Sequence, residues 1–140
     1  MNFEKHALTA GITKVTDRLS DGRDLFYYFD ANTTLSTPTL RDRRSLPPRG
    51  DTPAMRLDRL TGEWVTMAAS RQNRVFLPPV ELDPLAPQSE HNPSEIPALY
   101  DVAVFENRSP AFGPAPGEPQ RSFQVGAETT AVATGRCEVI

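Results

Sequence analysis

Apolar side chains along this chain gather into short runs with a period of two, separated by long polar and proline-rich stretches. Such alternation marks a half-buried β-strand, because successive side chains on an extended backbone point to opposite faces. Two of these runs, 12–19 and 24–29, flank Ser20-Asp21-Gly22-Arg23. Asp-Gly favours a hairpin turn, since both central residues tolerate positive φ, and the pattern therefore predicts a β-hairpin. Leu25, Tyr27 and Phe29 share one face and Phe26 and Tyr28 the other. With aromatics on both sides, the hairpin is expected to pack against something on each face. A further strand is predicted over 63–69, centred on Trp64-Val65-Thr66-Met67. It is entered through a tight turn at Leu60-Thr61-Gly62, where Gly62 is free to take positive φ. The clearest strand is Tyr100 to Phe105. Tyr100, Val102 and Val104 lie on one side, Ala103 and Phe105 on the other, which is the pattern of an interior strand. Phe123-Gln124-Val125 and Cys137-Glu138-Val139-Ile140 are shorter candidates. There is no repeat and no long amphipathic helix, and residues 1–10 suggest at most a frayed helical turn.

The intervening stretches are read as connections. Residues 30–55 form a polar connector with Pro38, Pro47, Pro48 and Pro53, and its run Arg41-Asp42-Arg43-Arg44 is expected to be a solvated loop. Residues 78–97 make a long irregular crossing that contains Pro78, Pro79, Pro84, Pro87, Pro93 and Pro97. Loops of this length inside compact domains are usually functional or unanchored. Residues 109–120 are a Pro/Gly loop. The final Val139-Ile140 lies inside a β-prone apolar run, and an exposed strand end invites pairing. The expectation is that the chain is a piece of something larger.

Composition narrows the class. The 140 residues suit one domain of ordinary size. Fourteen of them are proline, about twice the usual ~5%. Mean hydropathy is −0.45 and 38% of residues are apolar, so a core can form but much of the chain must be turn and loop. A net charge of −3 gives no pull towards nucleic acid or anionic membrane. No segment approaches the ~18 apolar residues of a membrane span, and the N-terminus lacks a signal-peptide core. Cys137 has no second cysteine with which to form an intrachain disulfide. A cytoplasmic location is expected.

Candidate chemistry centres on RLDRLTGEWVTMAASRQNR (56–74), where Arg71 and Arg74 follow the Trp64 strand. In a continuing strand these two side chains would point to opposite faces. A turn at Gln72-Asn73 would let them converge, and a convergent arginine pair suits a diphosphate because each planar fork donates two parallel charge-assisted hydrogen bonds. The residues alone equally allow a surface turn with two solvated arginines. Asn107 sits at the loop end of the clearest strand, where a rigid scaffold can present a side chain. Its amide offers donor and acceptor to a ribose or phosphate edge, or else closes an Asx turn before Pro110. Arg108 either adds a phosphate contact or faces water. Cys137, with only Arg136 beside it, is read as structural. His6 and His91 are not read as catalytic, and no catalytic residue is assigned.

These stretches resemble the galactose-1-phosphate uridylyltransferase family. RLDRLTGEWVTMAASRQNR resembles its N-terminal arginine-turn motif. ALYDVAVFENRSPAF (98–112) is similar to the strand and asparagine loop that meet the uridine nucleotide. TGRCEVI (134–140) resembles the strand leading to the family's first downstream histidine, and SDGRDLFYYFD an extension carried by one bacterial branch. The four stretches occur in family order and span most of the chain. The resemblance implies an α+β fold of the histidine-triad-like superfamily. This portion would be mostly antiparallel and loop-rich, part of a half-barrel. Residues 1–140 would be the N-terminal portion of a uridylyltransferase domain, with a hairpin extension at 12–29, a linker at 30–55 and strands and nucleotide-contacting loops at 56–140.

By the same resemblance, the whole enzyme exchanges UMP between UDP-glucose and galactose 1-phosphate through a uridylyl-histidine. Arg71 and Arg74 would bind the UDP-hexose diphosphate, the arginine turn reaching into a neighbouring protomer's site, and Asn107 and Arg108 would join them in substrate binding. Ile96 and Phe105 are candidates for the uracil pocket, or core residues. The family's His-Pro-His is absent from these residues, so the nucleophile is expected on a complementing C-terminal chain or a continuation. The alternatives are a non-catalytic UDP-sugar-binding module and an inactive truncated remnant. Where relatives carry a zinc-binding Cys-x-x-Cys, this chain reads Asp83-Pro84-Leu85-Ala86. A lone carboxylate with His91 eight residues on is no tetrahedral zinc site, so neither a metal nor any other cofactor is expected from this chain.

Overall fold

The computed structural model describes residues 4–8, 11–34, 41–49, 52–68, 71, 78–113, 123–125 and 127–140. In chain order the elements are β1 (Glu4–Ala7), β2 (Thr13–Arg18), β3 (Asp24–Phe29), β4 (Ala54–Leu57), β5 (Trp64–Met67), a 3-10 turn (Val80–Leu82), β6 (Val102–Glu106), β7 (Phe123–Val125), β8 (Glu128–Val132) and β9 (Glu138–Val139). One sheet has the order β1-β2-β3-β6-β9 and the other β5-β4-β8-β7, and among the described residues neither closes into a barrel. The antiparallel, loop-rich character expected from the sequence is present. The helical part of the expected α+β class is not: among the described residues, helical backbone is confined to the 3-10 turn, Gly11 and Arg71. The chain divides into two compact units, 1–48 with 76–105 and 139–140, and 49–75 with 106–138.

The first unit is organised by the expected hairpin. β2 and β3 pair antiparallel from Thr13↔Phe29 to Arg18↔Asp24. Their turn is closed by the Leu19 N–H donating to the Arg23 carbonyl at 2.8 Å, with Gly22 at φ +85°. Positive φ is nearly free for glycine and strained for other residues. β6 pairs with the far side of β3, with Leu25 opposite Phe105 and Tyr27 opposite Ala103. The core is Val15, Leu19, Leu25, Tyr27, Phe29, Ile96, Ala98, Ala103 and Phe105, all nearly or fully buried. Each large member contributes roughly 1.5–3 kcal/mol by leaving water. Ile96 and Phe105, candidates for a base pocket, are thus core residues. On the opposite face, Phe26 and Tyr28 lie under the Lys14 ammonium, 4.3 and 5.8 Å from their ring centroids. An amphipathic lysine covers rings in this way by laying down its stem while its charge meets the π face.

Three expectations for this unit are corrected. Residues 4–7 are a strand rather than a frayed helical turn: β1 pairs with β2 from Glu4↔Thr16 to Ala7↔Thr13 with every side chain exposed. Its pairing is supplied by the neighbouring strand's backbone, which an apolar pattern does not register. The crossing at 78–97 is anchored. Gln88 N–H donates to the Ile96 carbonyl at 2.8 Å, Glu95 N–H to Pro84 at 2.8 Å, and Asn92 Nδ2 to Asp83 at 2.8 Å. Finally, Arg41-Asp42-Arg43-Arg44 is not wholly solvated. Asp42 accepts from Ser20 N–H (3.0 Å), Gln88 Nε2 (2.8 Å) and the Arg44 guanidinium (2.9 Å). Arg44 also pairs with Glu95 at 3.2 Å, and Glu95 with Arg23 at 2.5 Å. Arg23, wholly buried, binds Asp21 as well at 2.8 Å. Burial opposes the Asp42 charge, but these donors outweigh it and hold its carboxyl well below the usual range.

The second unit carries the other sheet. β4 pairs with β5 from Ala54↔Met67 to Leu57↔Trp64 and with β8 from Ala54↔Val132 to Arg56↔Thr130, and β7 pairs with β8. Pro53 and Ala133 are its buried apolar residues among those described, while Trp64, Val65 and Met67 on edge strand β5 stay substantially exposed. β4 and β8 went unread in the sequence. The first falls at the end of the polar connector, and Glu128-Thr129-Thr130-Ala131-Val132 lacks an apolar alternation.

Candidate functional site

The β4–β5 hairpin presents the arginine turn. Its loop is held by Gly62 N–H donating to the Asp58 carbonyl and Asp58 N–H to the Glu63 carbonyl, both at 2.8 Å. The Asp58 carboxylate caps the bend by accepting from Leu60 N–H at 2.9 Å, and Gly62 takes φ +74° as expected. This pins the register of Trp64-Val65-Thr66-Met67 and therefore the point at which the strand ends. Beyond Ala68 the chain turns, with Arg71 N–H donating to the Ala68 carbonyl at 2.9 Å. Arg71 is exposed and lines an open depression of about 350 Å³ together with Thr66, Met67, Ala68 and Ala111. Gln72, Asn73 and Arg74 lie outside the described residues, and so does the convergence of the two arginines.

Ala111 belongs to the loop that follows Asn107. The Asn107 N–H donates to the Cys137 carbonyl at 2.8 Å, fastening the end of β6 to the segment leading into β9. Its Oδ1 accepts from Ser109 N–H at 3.0 Å, the Asx turn that the sequence allowed. The amide Nδ2 has no partner among the described residues, so a donor remains on this half-buried side chain. Arg108 is exposed. The loop then closes onto the second sheet, with Gly113 N–H donating to Ala133 and Gly135 N–H to Gly113, both at 2.9 Å. Two stretches forty residues apart in sequence, the arginine turn and the asparagine loop, therefore border one depression through Arg71 and Ala111. A guanidinium there is open to an anion, and the flanking Thr66, Met67 and Ala111 offer a mixed wall.

The remaining candidates are not among the residues that line this depression. Cys137 is half-buried, and neighbouring Arg136 is engaged with Glu138 at 2.6 Å and Glu106 at 3.9 Å. Asp83 accepts from Leu85 N–H at 2.9 Å. His91 is exposed, and the described residues contain no group of three or more metal-ligating side chains. This donor set does not fit a zinc ion. No helix among the described residues is long and apolar enough to cross a membrane.

Over 130 residues the chain is 35% identical to a galactose-1-phosphate uridylyltransferase of Streptomyces lividans. The chain resembles part of a uridylyltransferase. The match takes in 91% of this chain and 30% of the relative, so these residues span about three-tenths of that uridylyltransferase's length. The resemblance first seen in short motifs thus extends through both units. No family model matches the chain, and no solved structure matches it.

Proposed function

We propose that these residues are the N-terminal part of a galactose-1-phosphate uridylyltransferase that exchanges UMP between UDP-glucose and galactose 1-phosphate. The observation that carries the reading is the 35% identity sustained across 130 residues with such an enzyme. In this reading the two sheets contribute to a histidine-triad-like half-barrel. Arg71 and Arg74 neutralise the diphosphate of the UDP-hexose, and the Asn107 amide, with Arg108 beside it, meets the nucleotide. An arginine fork suits this role because it stays charged at any working pH and bonds two phosphate oxygens at once. The exposure of Arg71 and its place beside the Asn107 loop agree with that assignment.

The exchange runs through a uridylyl-histidine carried by residues outside these 140, on a complementing chain or a continuation. The arginine turn reaches a neighbouring protomer's site in a homodimer-type contact. The test is complementation. The chain is mixed with a polypeptide that carries the relative's remaining length, including His-Pro-His, and UMP exchange is measured. Restored exchange that weakens with Arg71→Ala is expected. A folded mixture that binds UDP-glucose but transfers nothing would overturn the catalytic reading in favour of a binding module.

A further inference from the structure

A second cavity, in the first unit, takes no part in the proposed uridylyl exchange. It measures about 620 Å³ and is lined in part by Asp17, Arg18, Arg41, Asp42, Arg43 and Arg44. Small-molecule sites typically occupy ~300–1,000 Å³. Along 41–46 burial alternates strictly: Asp42, Arg44 and Leu46 turn inward, while Arg41, Arg43 and Ser45 are exposed. Side chains two apart on an extended backbone share a face at a spacing of roughly 6.5–7 Å. Arg41 and Arg43 therefore present their guanidinium groups on the same side.

The segment is held in place by its inward members. Asp42 binds Ser20 N–H, Gln88 and Arg44, Arg44 binds Glu95, and Arg43 N–H donates to Gln88 Oε1 at 3.3 Å. The outward arginines have no ion-pair partner among the described residues. Two like charges fixed side by side raise the local positive potential, which an anion relieves. Arg18, 73% exposed and paired with Asp24 at 3.5 Å, also lines the cavity. Asp17 supplies a half-buried carboxylate. It would repel a bare anion but accept a hydrogen bond from a hydroxyl or ammonium group. Burial, with the Asp42 charge adding to it, pushes the Asp17 carboxyl up. A carboxylate kept in a cavity against that cost is a feature more common in binding sites than in scaffolds.

We propose that Arg41 and Arg43, helped by Arg18, bind the phosphate of a small organic phosphate whose own hydrogen-bond donor is accepted by Asp17. The ligand class is a phosphate monoester carrying a hydroxyl or ammonium group, bound without covalent change. The site lies wholly in the first unit and is independent of Arg71.

The experiment titrates the isotope-labelled 140-residue chain with glycerol 3-phosphate, inorganic phosphate and glycerol at ~0.15 M salt, following amide resonances of 17–23 and 41–44. Glycerol 3-phosphate is expected to shift them saturably and to bind at least about tenfold more tightly than inorganic phosphate, the ratio one good charged hydrogen bond supplies. Glycerol should not bind. The double variant Arg41→Ala/Arg43→Ala should weaken glycerol 3-phosphate at least about tenfold. Asp17→Asn should remove most of the preference over inorganic phosphate, and Arg71→Ala should change nothing. The double variant alters only exposed side chains and should melt with the parent. Should it not fold, Arg41→Gln/Arg43→Gln carries the same expectation. Absence of saturable shifts at ~10 mM glycerol 3-phosphate, a range that reaches weak millimolar sites, would overturn the proposal. So would shifts indifferent to the arginine variants, or equal affinity for both phosphates, which would mean a nonspecific anion contact only.

Discussion

Arg23 and Arg44 in the first unit do the opposite work to Arg71 in the second. In the first, the side chains of Arg23 and Arg44 are 0% and 8% exposed, and each is bracketed by a carboxylate two residues away and by Glu95 from a distant part of the chain. In the second, Arg71 stands exposed on a turn at the rim of an open depression. The contrast follows the packing beneath them. Among its described residues the first unit has a core of nine buried apolar residues, and the guanidinium groups close it where the hairpin turn, the 41–46 segment and the 78–97 crossing meet. The second unit buries little apolar surface among its described residues and leaves β5 exposed at a sheet edge. A guanidinium enclosed by protein must be neutralised by protein and then serves the scaffold. One left in solvent keeps its charge for a ligand. Sequence motifs locate arginines equally well in both settings, but only enclosure tells which kind each is.

The sharpest way to break this contrast is to remove the most enclosed guanidinium. Arg23→Met strands the buried Asp21 carboxylate without a guanidinium, leaves Glu95 with Arg44 alone, and is expected to destabilise the chain by about 3–5 kcal/mol, read as a loss of melting temperature or denaturant midpoint. A loss under ~1 kcal/mol would mean that the buried network is not structural. Asp42→Asn comes next. It removes the charge that Arg44 and Ser20 N–H address and should cost about 1.5–3 kcal/mol at neutral pH.

The pH dependence of Asp42 has a definite sign. Its folded carboxyl lies below its ordinary value of 3.8, so its stabilisation is complete above that value and is lost as the pH falls through it towards the folded value. Melting curves from neutral pH down to about pH 3 should fall more steeply for the parent than for Asp42→Asn.

Arg71→Ala tests the other side. Stability should stay within about 0.5 kcal/mol of the parent, as for an exposed turn residue. UMP exchange in the complemented enzyme should fall about 10–100-fold, the equivalent of one or two charged hydrogen bonds. Large destabilisation with intact exchange would reverse the roles assigned to the two arginine settings. The smallest effect belongs to Asp17→Asn. Burial raises the folded Asp17 carboxyl above 3.8, so its charge opposes folding at neutral pH and this opposition is relieved as the pH falls. The amide should raise stability by a few tenths of a kcal/mol, since the group keeps solvent on one side. Calorimetry at pH 7 would register the sign.

Much of the first unit was legible without coordinates. The alternation in Leu25-Phe26-Tyr27-Tyr28-Phe29 and in Val102-Ala103-Val104-Phe105 sorted the side chains into the two faces observed, although both faces were expected to be covered and Val102 is 44% exposed, and Gly22 and Gly62 marked turns that require positive φ. β1 and β8 were missed because Glu4-Lys5-His6-Ala7 and Glu128-Thr129-Thr130-Ala131-Val132 owe their strand state to a neighbour's hydrogen bonds rather than to apolar alternation. Arg41-Asp42-Arg43-Arg44 was misread for a related reason. Charge runs usually face water, but this one meets Ser20, Gln88 and Glu95 from elsewhere in the chain. At the candidate site the motif singled out Arg71 and Asn107, whereas the depression shared with Ala111 emerged only from folding.

The sequence by itself determined the alternation, the glycine-permitted bends and the likeness to an enzyme family, because backbone sterics and side-chain period act between near neighbours. Tertiary structure alone decided which arginines were neutralised and which stayed available. A charge is neutralised by whatever lies within a few ångströms, and those groups come from residues as far apart as Asp21, Asp42 and Glu95.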